Sequence, residues 1–234
     1  MSSQAQNTDI VEHFDKNRAA EYDKDIVSFI PGYDLIHESN LAMFREKNLA
    51  KANVLVVGAG TGKESISLAS GFREVNVTAV DPSKAMLESL KSKVNDLKLV
   101  NIDFICDYVA NLKGESFNFA NSILVMHFLP DRGEKLDYLR EIYKRLEPMS
   151  ELILVDFMKI EDECQDRAIM QAMKNYQLSI SPSPEKIEEA HEKIKTNLHR
   201  ITESRLFDLA EKAGFFKPIK FFQSFLIGGY ILRK

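Results

Sequence analysis

Two cysteines, Cys106 and Cys164, are all that 234 residues contain, too few and too isolated for a disulfide framework or a zinc site. Both are read as reduced thiols, the state kept by the cytoplasm. The chain has no basic surplus: 31 Lys and Arg stand against 35 Asp and Glu, a net charge of −4. The electrostatic footprint of a long nucleic acid is therefore missing, and nucleic acid is not expected as a partner. The N-terminal stretch MSSQAQNTDI is polar and lacks the apolar run of a secretory signal. No segment approaches the roughly 20 apolar residues that span a bilayer. A soluble, cytoplasmic protein is the expectation. Metal-ligand patterns are missing too. His13, His37, His127, His191 and His199 are dispersed, without the i, i+4 pairing of a helical metal site, so no metal is expected.

What is present is an ordinary globular balance, 44% hydrophobic and 28% charged, enough for one substantial core. From Val11 to about Ala20 the charged pattern predicts a short amphipathic helix, with Phe14 and Tyr22 turned inward. Pro31-Gly32 breaks the chain, and residues 33–48 carry a second helical stripe. VLVV (Val54 to Val57) is a continuous β-branched run, the mark of a strand buried on both faces of a parallel sheet. It enters GAGTG (Gly58 to Gly62) and then a helix. Further strands are read at Val75–Val80, Ile102–Ile105, Phe119–Val125 and Glu151–Phe157, alternating with helices. Residues 161–201 contain no strand pattern, only polar helical stretches broken by SISPSPE (Ser179 to Glu185). A helix from Ser204 to Ala213, ended by Gly214, precedes two final strands around Gly228-Gly229, expected as an antiparallel pair. The expected organisation is a helical cap over 1–50, a ligand-binding core over 51–157, a helical insertion over 158–203 and a completing helix and strand pair over 204–234.

The glycine loop sits at the carboxyl end of the first strand, where open α/β sheets bind ligands. Glycines there permit unusual dihedrals and close backbone approach. The spacing is G-x-G-x-G, neither the G-x-G-x-x-G of dinucleotide binders nor a phosphate loop, because the Lys-Ser/Thr pair is missing. Asp81 ends the second strand about 20 residues further on, where a carboxylate can accept hydrogen bonds from both ribose hydroxyls. Asp81-Pro82-Ser83 also resembles a helix start. Asp107 ends the third strand beside Tyr108, placed to pair with an adenine amino group or to be a solvated loop residue. Val125 to Leu129 would line the pocket from the fourth strand.

These residues resemble the class I S-adenosylmethionine (SAM)-dependent methyltransferase family. The segments that carry the likeness are VLVVGAGTG (Val54 to Gly62), VTAVDPSKAML (Val77 to Leu87), FICD (Phe104 to Asp107), FANSILVMHFLP (Phe119 to Pro130) and LREIYKRLEP (Leu139 to Pro148). The resemblance implies a Rossmann-like α/β fold: a seven-stranded, mostly parallel sheet with the last strand antiparallel and a helical insertion after the fifth strand. It further implies SAM as cofactor. Gly58, Ala59, Gly60 and Gly62 would contact its methionine end, Asp81 and Pro82 its ribose, Asp107 and Tyr108 its adenine. Met86 and Val125 would pack against it, with Tyr22 and Tyr33 closing the site from the N-terminal segment. Where the family often has Lys-Pro-Gly-Gly before the fifth strand, this chain has Glu147-Pro148-Met149-Ser150.

The flanks FDKNRAAEYD, FIPGYDLI, LAEKAGF and FFQSFLIGGYI are similar to the carboxy-SAM synthase branch. That branch grips the cofactor's extra carboxylate with an arginine in its penultimate helix. Alignment on Lys212-Ala213-Gly214-Phe215 puts Leu209 there, which favours plain methyl transfer to a small-molecule acceptor. His127 is the candidate base, because histidine exchanges protons near neutral pH and this one follows the fourth strand. A structural imidazole is the other reading of it. The alternatives to a methyltransferase are a carboxy-SAM synthase-like enzyme of transfer-RNA modification and a SAM-binding module without turnover. A nicotinamide dehydrogenase is disfavoured by the glycine spacing. The oligomeric state, homodimer included, is left open.

Overall fold

The structure is a computed structural model and describes residues 16–47, 49, 51–114 and 116–234. Five strands, β1 (Asn53–Val57), β2 (Asn76–Val80), β3 (Ile102–Ile105), β4 (Phe117–Ile123) and β5 (Leu146–Phe157), pair in parallel. The hairpin of β6 (Ile219–Ser224) and β7 (Ile227–Arg233) joins them through β7, which is antiparallel to β5. The order is β3-β2-β1-β4-β5-β7-β6. Strands run outward from β1 to β3, and the chain then returns to β4 on the other side of β1. That reversal leaves a crevice beyond the carboxyl ends of β1 and β4.

The VLVV run is buried as its composition predicts. Val54 and Val56 face one core, Leu55 and Val57 the other, and all four are at most 5% exposed. The first core is closed by α2 (Tyr33–Glu46), α3 (Lys63–Gly71), α4 (Lys84–Asp96) and Met173 of α6 (Glu163–Ile180). The second is closed by α5 (Glu134–Arg145) and α8 (Glu203–Ala213). With α1 (Lys16–Phe29) and α7 (Pro184–Asn197) there are eight α-helices among the described residues.

Helix boundaries obey local chemistry. Ser83 accepts from Met86 N–H at 3.3 Å to cap α4, and Asp162 accepts from Gln165 N–H at 2.8 Å to cap α6. Gly214 ends α8 in the left-handed region at φ 108°, as its position predicts. The segment between β5 and α8 is helical. Arg200 clamps it with two bonds to Asp166, at 3.0 and 2.8 Å, and a third to the Met158 carbonyl. Gln177 of α6 donates to the Phe29 carbonyl at 2.5 Å and meets His191 Nε2 at 2.6 Å, so α1, α6 and α7 are tied together.

Two expectations are corrected. The first helix runs on to Phe29 rather than stopping near Ala20, because nothing before Pro31 breaks it; Val11 and Phe14 lie outside the described residues. Gly228-Gly229 lie inside β7, as the final-strand pattern predicts, and the turn before them is Phe225-Leu226. A Cβ on Gly228 would come within 2.8–2.9 Å of Tyr230 and Met158, and one on Gly229 within 2.9 Å of Phe221 and Phe222, so close packing explains both glycines. The fifth strand begins at Leu146, with a register shift before regular pairing at Glu151. Within that irregularity Met149 takes φ 67°, a conformation glycine adopts more cheaply.

Candidate functional site

The loop after β1 is held open by its glycines. Gly58, Gly60 and Gly62 have φ of 70°, 52° and 95°, all in the region L side chains avoid. Two of them also answer to packing: a Cβ on Gly58 would lie 2.4 Å from Val125, and one on Gly62 2.0 Å from Leu90. Gly60 differs. Its missing Cβ would meet only the Gly58 carbonyl, at 4.0 Å, so the loop presents bare backbone to open space there.

Asp81, 8% exposed, fastens this loop to the next element. Its Oδ2 accepts from Gly60 N–H at 2.9 Å and its Oδ1 from Ser83 N–H at 2.8 Å. The helix-start reading of Asp81-Pro82-Ser83 is met by the bond to Ser83, and the same carboxylate also supports the glycine loop. Burial raises its pKa against those two bonds. Each carboxylate oxygen has two lone pairs, so one acceptor position per oxygen remains beyond these bonds. Met86 is buried on α4, and Pro82 is half-buried beside it.

A cavity opens over the loop, lined by Gly58 to Glu64, Tyr22, Tyr33, His37, Ile123 and Leu124. Tyr22 and Tyr33 line it from the N-terminal helices. The closure is pinned by Asp23 on α1, which accepts from Thr61 Oγ at 2.6 Å and also binds Lys93 Nζ; Lys93 in turn donates to the Thr61 carbonyl at 3.0 Å. Leu124 enters the cavity wall at φ 60°, a strained conformation for a leucine at the end of β4.

The remaining expected residues lie elsewhere along the same edge. Asp107 Oδ1 accepts from Tyr108 N–H at 2.7 Å and Asn111 at 2.6 Å, ordering the turn after β3. Tyr108 is 39% exposed. Val125 covers Gly58. His127 is buried, and its Nδ1 bonds Asp156, which also accepts from Phe157 N–H at 2.8 Å. The ring packs 4.2 Å from Phe128, and it is not among the cavity-lining side chains. Lys135, buried nearby, donates to the Met126 carbonyl at 2.6 Å, and burial lowers its pKa.

Residues 54–149 match the family model described as a methyltransferase domain. Its curated relatives include the carboxy-S-adenosyl-L-methionine synthase of Actinobacillus pleuropneumoniae, 21% identical over 94% of this chain and 92% of that protein. Among solved structures it is similar to the 1,6-didemethyltoxoflavin-N1-methyltransferase of Burkholderia thailandensis, bound to 1,6-didemethyltoxoflavin and S-adenosylhomocysteine. That likeness has a TM-score of 0.66 at 16% identity, covering 100% of this chain and 91% of that one. The magnesium protoporphyrin IX methyltransferase of Synechocystis, bound to S-adenosylhomocysteine, gives 0.62 at 17% identity over 87% and 83%. The fold is that of the SAM-dependent methyltransferases.

Sequence reasoning missed four residues at this cavity. Thr61 lies inside the glycine loop and Asp23 ends the flank FDKNRAAEYD, yet neither was singled out, while His37 and Glu64 fall outside every quoted segment; all four stand at the cavity or beside it. For His37 a signal existed: it lies one helical turn after Tyr33, on the same face of α2. Leu209, on α8, is 1% exposed in the second core. Among the described residues no helix is long and apolar enough to cross a membrane.

Proposed function

We propose that this chain transfers a methyl group from SAM to a small-molecule acceptor. The observation that carries the reading is the Gly60–Asp81 bond beside a cavity into which Gly60 puts no side chain. A nucleoside with an amino-acid tail fits that arrangement: the bare loop admits the tail, and the spare lone pairs of Asp81 suit a ribose diol. When bound, the cofactor supplies an activated sulfonium methyl group. The chain's own residues then bind, orient and exclude water, a proximity effect of roughly 7–11 kcal/mol. Gly58, Ala59, Gly60 and Gly62 receive the methionine end, Asp81 and Pro82 the ribose, Asp107 and Tyr108 the adenine. Met86 and Val125 pack beside it, and Tyr22 and Tyr33 close over it. In this reading residues 1–50 are a cap and residues 158–203 a lid over the acceptor. His127 is the proposed base. Asp156 fixes its Nδ1, which leaves Nε2 as the nitrogen that takes the acceptor's proton.

The near full-length match to carboxy-SAM synthases favours a second reading, an enzyme that acts on SAM itself. Leu209, apolar and buried where that branch has its arginine, weighs against it. Mass spectrometry of the ligand released from the purified protein separates these readings. SAM or S-adenosylhomocysteine is the expected result, with methylated product on addition of the right acceptor. Carboxy-SAM would transfer the chain to the second reading. A nicotinamide nucleotide, or calorimetry showing no SAM binding, would overturn both, and binding without turnover would leave a SAM-binding module.

A further inference from the structure

Buried polar side chains are normally hydrogen-bonded, and an exception needs a reason. Both ring nitrogens of His37 are buried without a hydrogen-bond partner among the described residues. The side chain is nevertheless a wall of the cavity over the glycine loop, where its ring meets Tyr33 edge-on at 4.4 Å. Glu64, in the first turn of α3, lines the same cavity and is 8% exposed. Its Oε1 lies 3.6 Å from His37 Nδ1, too far for a good hydrogen bond. The nearby cations are engaged with other acids: Lys63 bonds Asp34 at 3.0 Å, and Lys93 bonds Asp23. What faces the cavity is an imidazole whose two nitrogens the described residues leave without partners, beside a carboxyl bonded only to its own backbone N–H.

A primary ammonium has three donors and a positive charge, and it suits a carboxyl beside a neutral imidazole. We propose that Glu64 and His37 form the subsite for the α-ammonium group of a nucleoside that carries an amino-acid tail. This rests on reading the cavity as the cofactor site. Neither residue belongs to the segments that carry the family resemblance.

The subsite couples binding to a proton. Burial pushes the Glu64 carboxyl up to about 7, against its own backbone N–H and Lys63. Burial, helped by Lys63 and opposed by Asp34, pushes His37 down to about 4. The other ionisable groups facing the pair are Tyr33 on the same helix, Tyr22 and Asp23 on α1, and Lys93 on α4 through Asp23. At neutral pH His37 is neutral and the free protein holds Glu64 partly protonated. An entering ammonium stabilises the carboxylate, so the carboxyl proton leaves to solvent as the N–H···O bonds form.

The test is calorimetric titration of the intact chain at pH 6 and pH 8 with two probes. S-adenosylhomocysteine carries the α-ammonium; 5′-methylthioadenosine is the same kind of thioether without the amino-acid tail. Wild-type affinity for S-adenosylhomocysteine should rise about tenfold from pH 6 to pH 8, following the ionised fraction of Glu64. Glu64→Gln should weaken it by about tenfold or more at pH 8, flatten the pH dependence and leave 5′-methylthioadenosine unchanged. His37→Gln should give a smaller loss with the same selectivity. Equal weakening of both probes, or no weakening, overturns the subsite while the cofactor site stands. A wild-type chain that binds neither probe overturns the subsite and the cofactor reading together.

Discussion

Two buried histidine–carboxyl pairs stand at the carboxyl edge of this sheet, and they are finished in opposite ways. His127 and Asp156 are bonded to each other, Asp156 takes a further backbone N–H, and aromatic rings pack against the imidazole. His37 and Glu64 sit 3.6 Å apart beside a cavity, with both imidazole nitrogens unpaired. Residue type is the same in both. The difference is whether the protein itself supplies the partners. A pair the fold completes is pre-organised and costs little to keep buried, whereas an incomplete pair is destabilising until something else completes it. The first arrangement suits a group that must hold one orientation, the second a group that receives a ligand.

The largest effect that would break this contrast lies in the completed pair. If His127 takes the acceptor's proton, His127→Ala should cut turnover by roughly 10²–10⁴-fold while SAM affinity stays level. Wild-type turnover in the folded variant, once an acceptor is found, would reduce the pair to a structural role. Asp156→Asn should reproduce part of the loss by releasing the fixed tautomer.

In the incomplete pair the free protein should show its cost directly. Glu64 has its folded pKa raised from 4.5 to about 7. Below 4.5 both folded and unfolded chains hold the proton. Between 4.5 and about 7 the unfolded chain gives it up while the folded one keeps it, so stability falls as pH rises through that window. Glu64→Gln should remove this decline and be more stable at pH 8 by up to about 3 kcal/mol. Urea denaturation of both proteins at pH 4.5 and pH 8 measures it, and parallel losses in the two would contradict the desolvated carboxyl.

Two smaller effects sharpen the comparison around the loop. Asp81→Ala should weaken SAM binding by about 1.5–3 kcal/mol, because it removes a ribose acceptor and frees Gly60 N–H. Unchanged affinity by calorimetry in a folded variant would leave Asp81 as a helix-start residue only. Asp23→Ala unties α1 from Thr61 and Lys93 at a half-exposed position, where such bonds are weak. A loss of about 1 kcal/mol or less in SAM affinity is expected, seen mainly as faster dissociation in stopped-flow traces.

Much of this site was written locally. A β-branched run, three glycines and an aspartate at the end of the next strand are short-range signals. They work because buried parallel strands need apolar residues on both faces and because only glycine takes φ of 70°, 52° and 95° cheaply. The alternation of elements carried the sheet topology for the same reason, and Gly214 ended its helix as placed. Gly228-Gly229 sit in the last strand as the pattern predicts, but only the side chains of Phe221, Phe222 and Tyr230 packed against them show why glycine is needed there.

The amino-acid sequence by itself therefore determined the order of strands and helices, the open loop and the acid beside it. Tertiary structure alone decided which side chains were left without partners. Whether a buried imidazole is satisfied depends on what distant segments bring within about 3 Å of it, and α2 with α3 brought Glu64 near His37 without closing the gap. Packing bonded Asp156 to His127 and left His37 facing the cavity. No periodicity or spacing encodes that difference, because it resides in the distances between elements rather than within them.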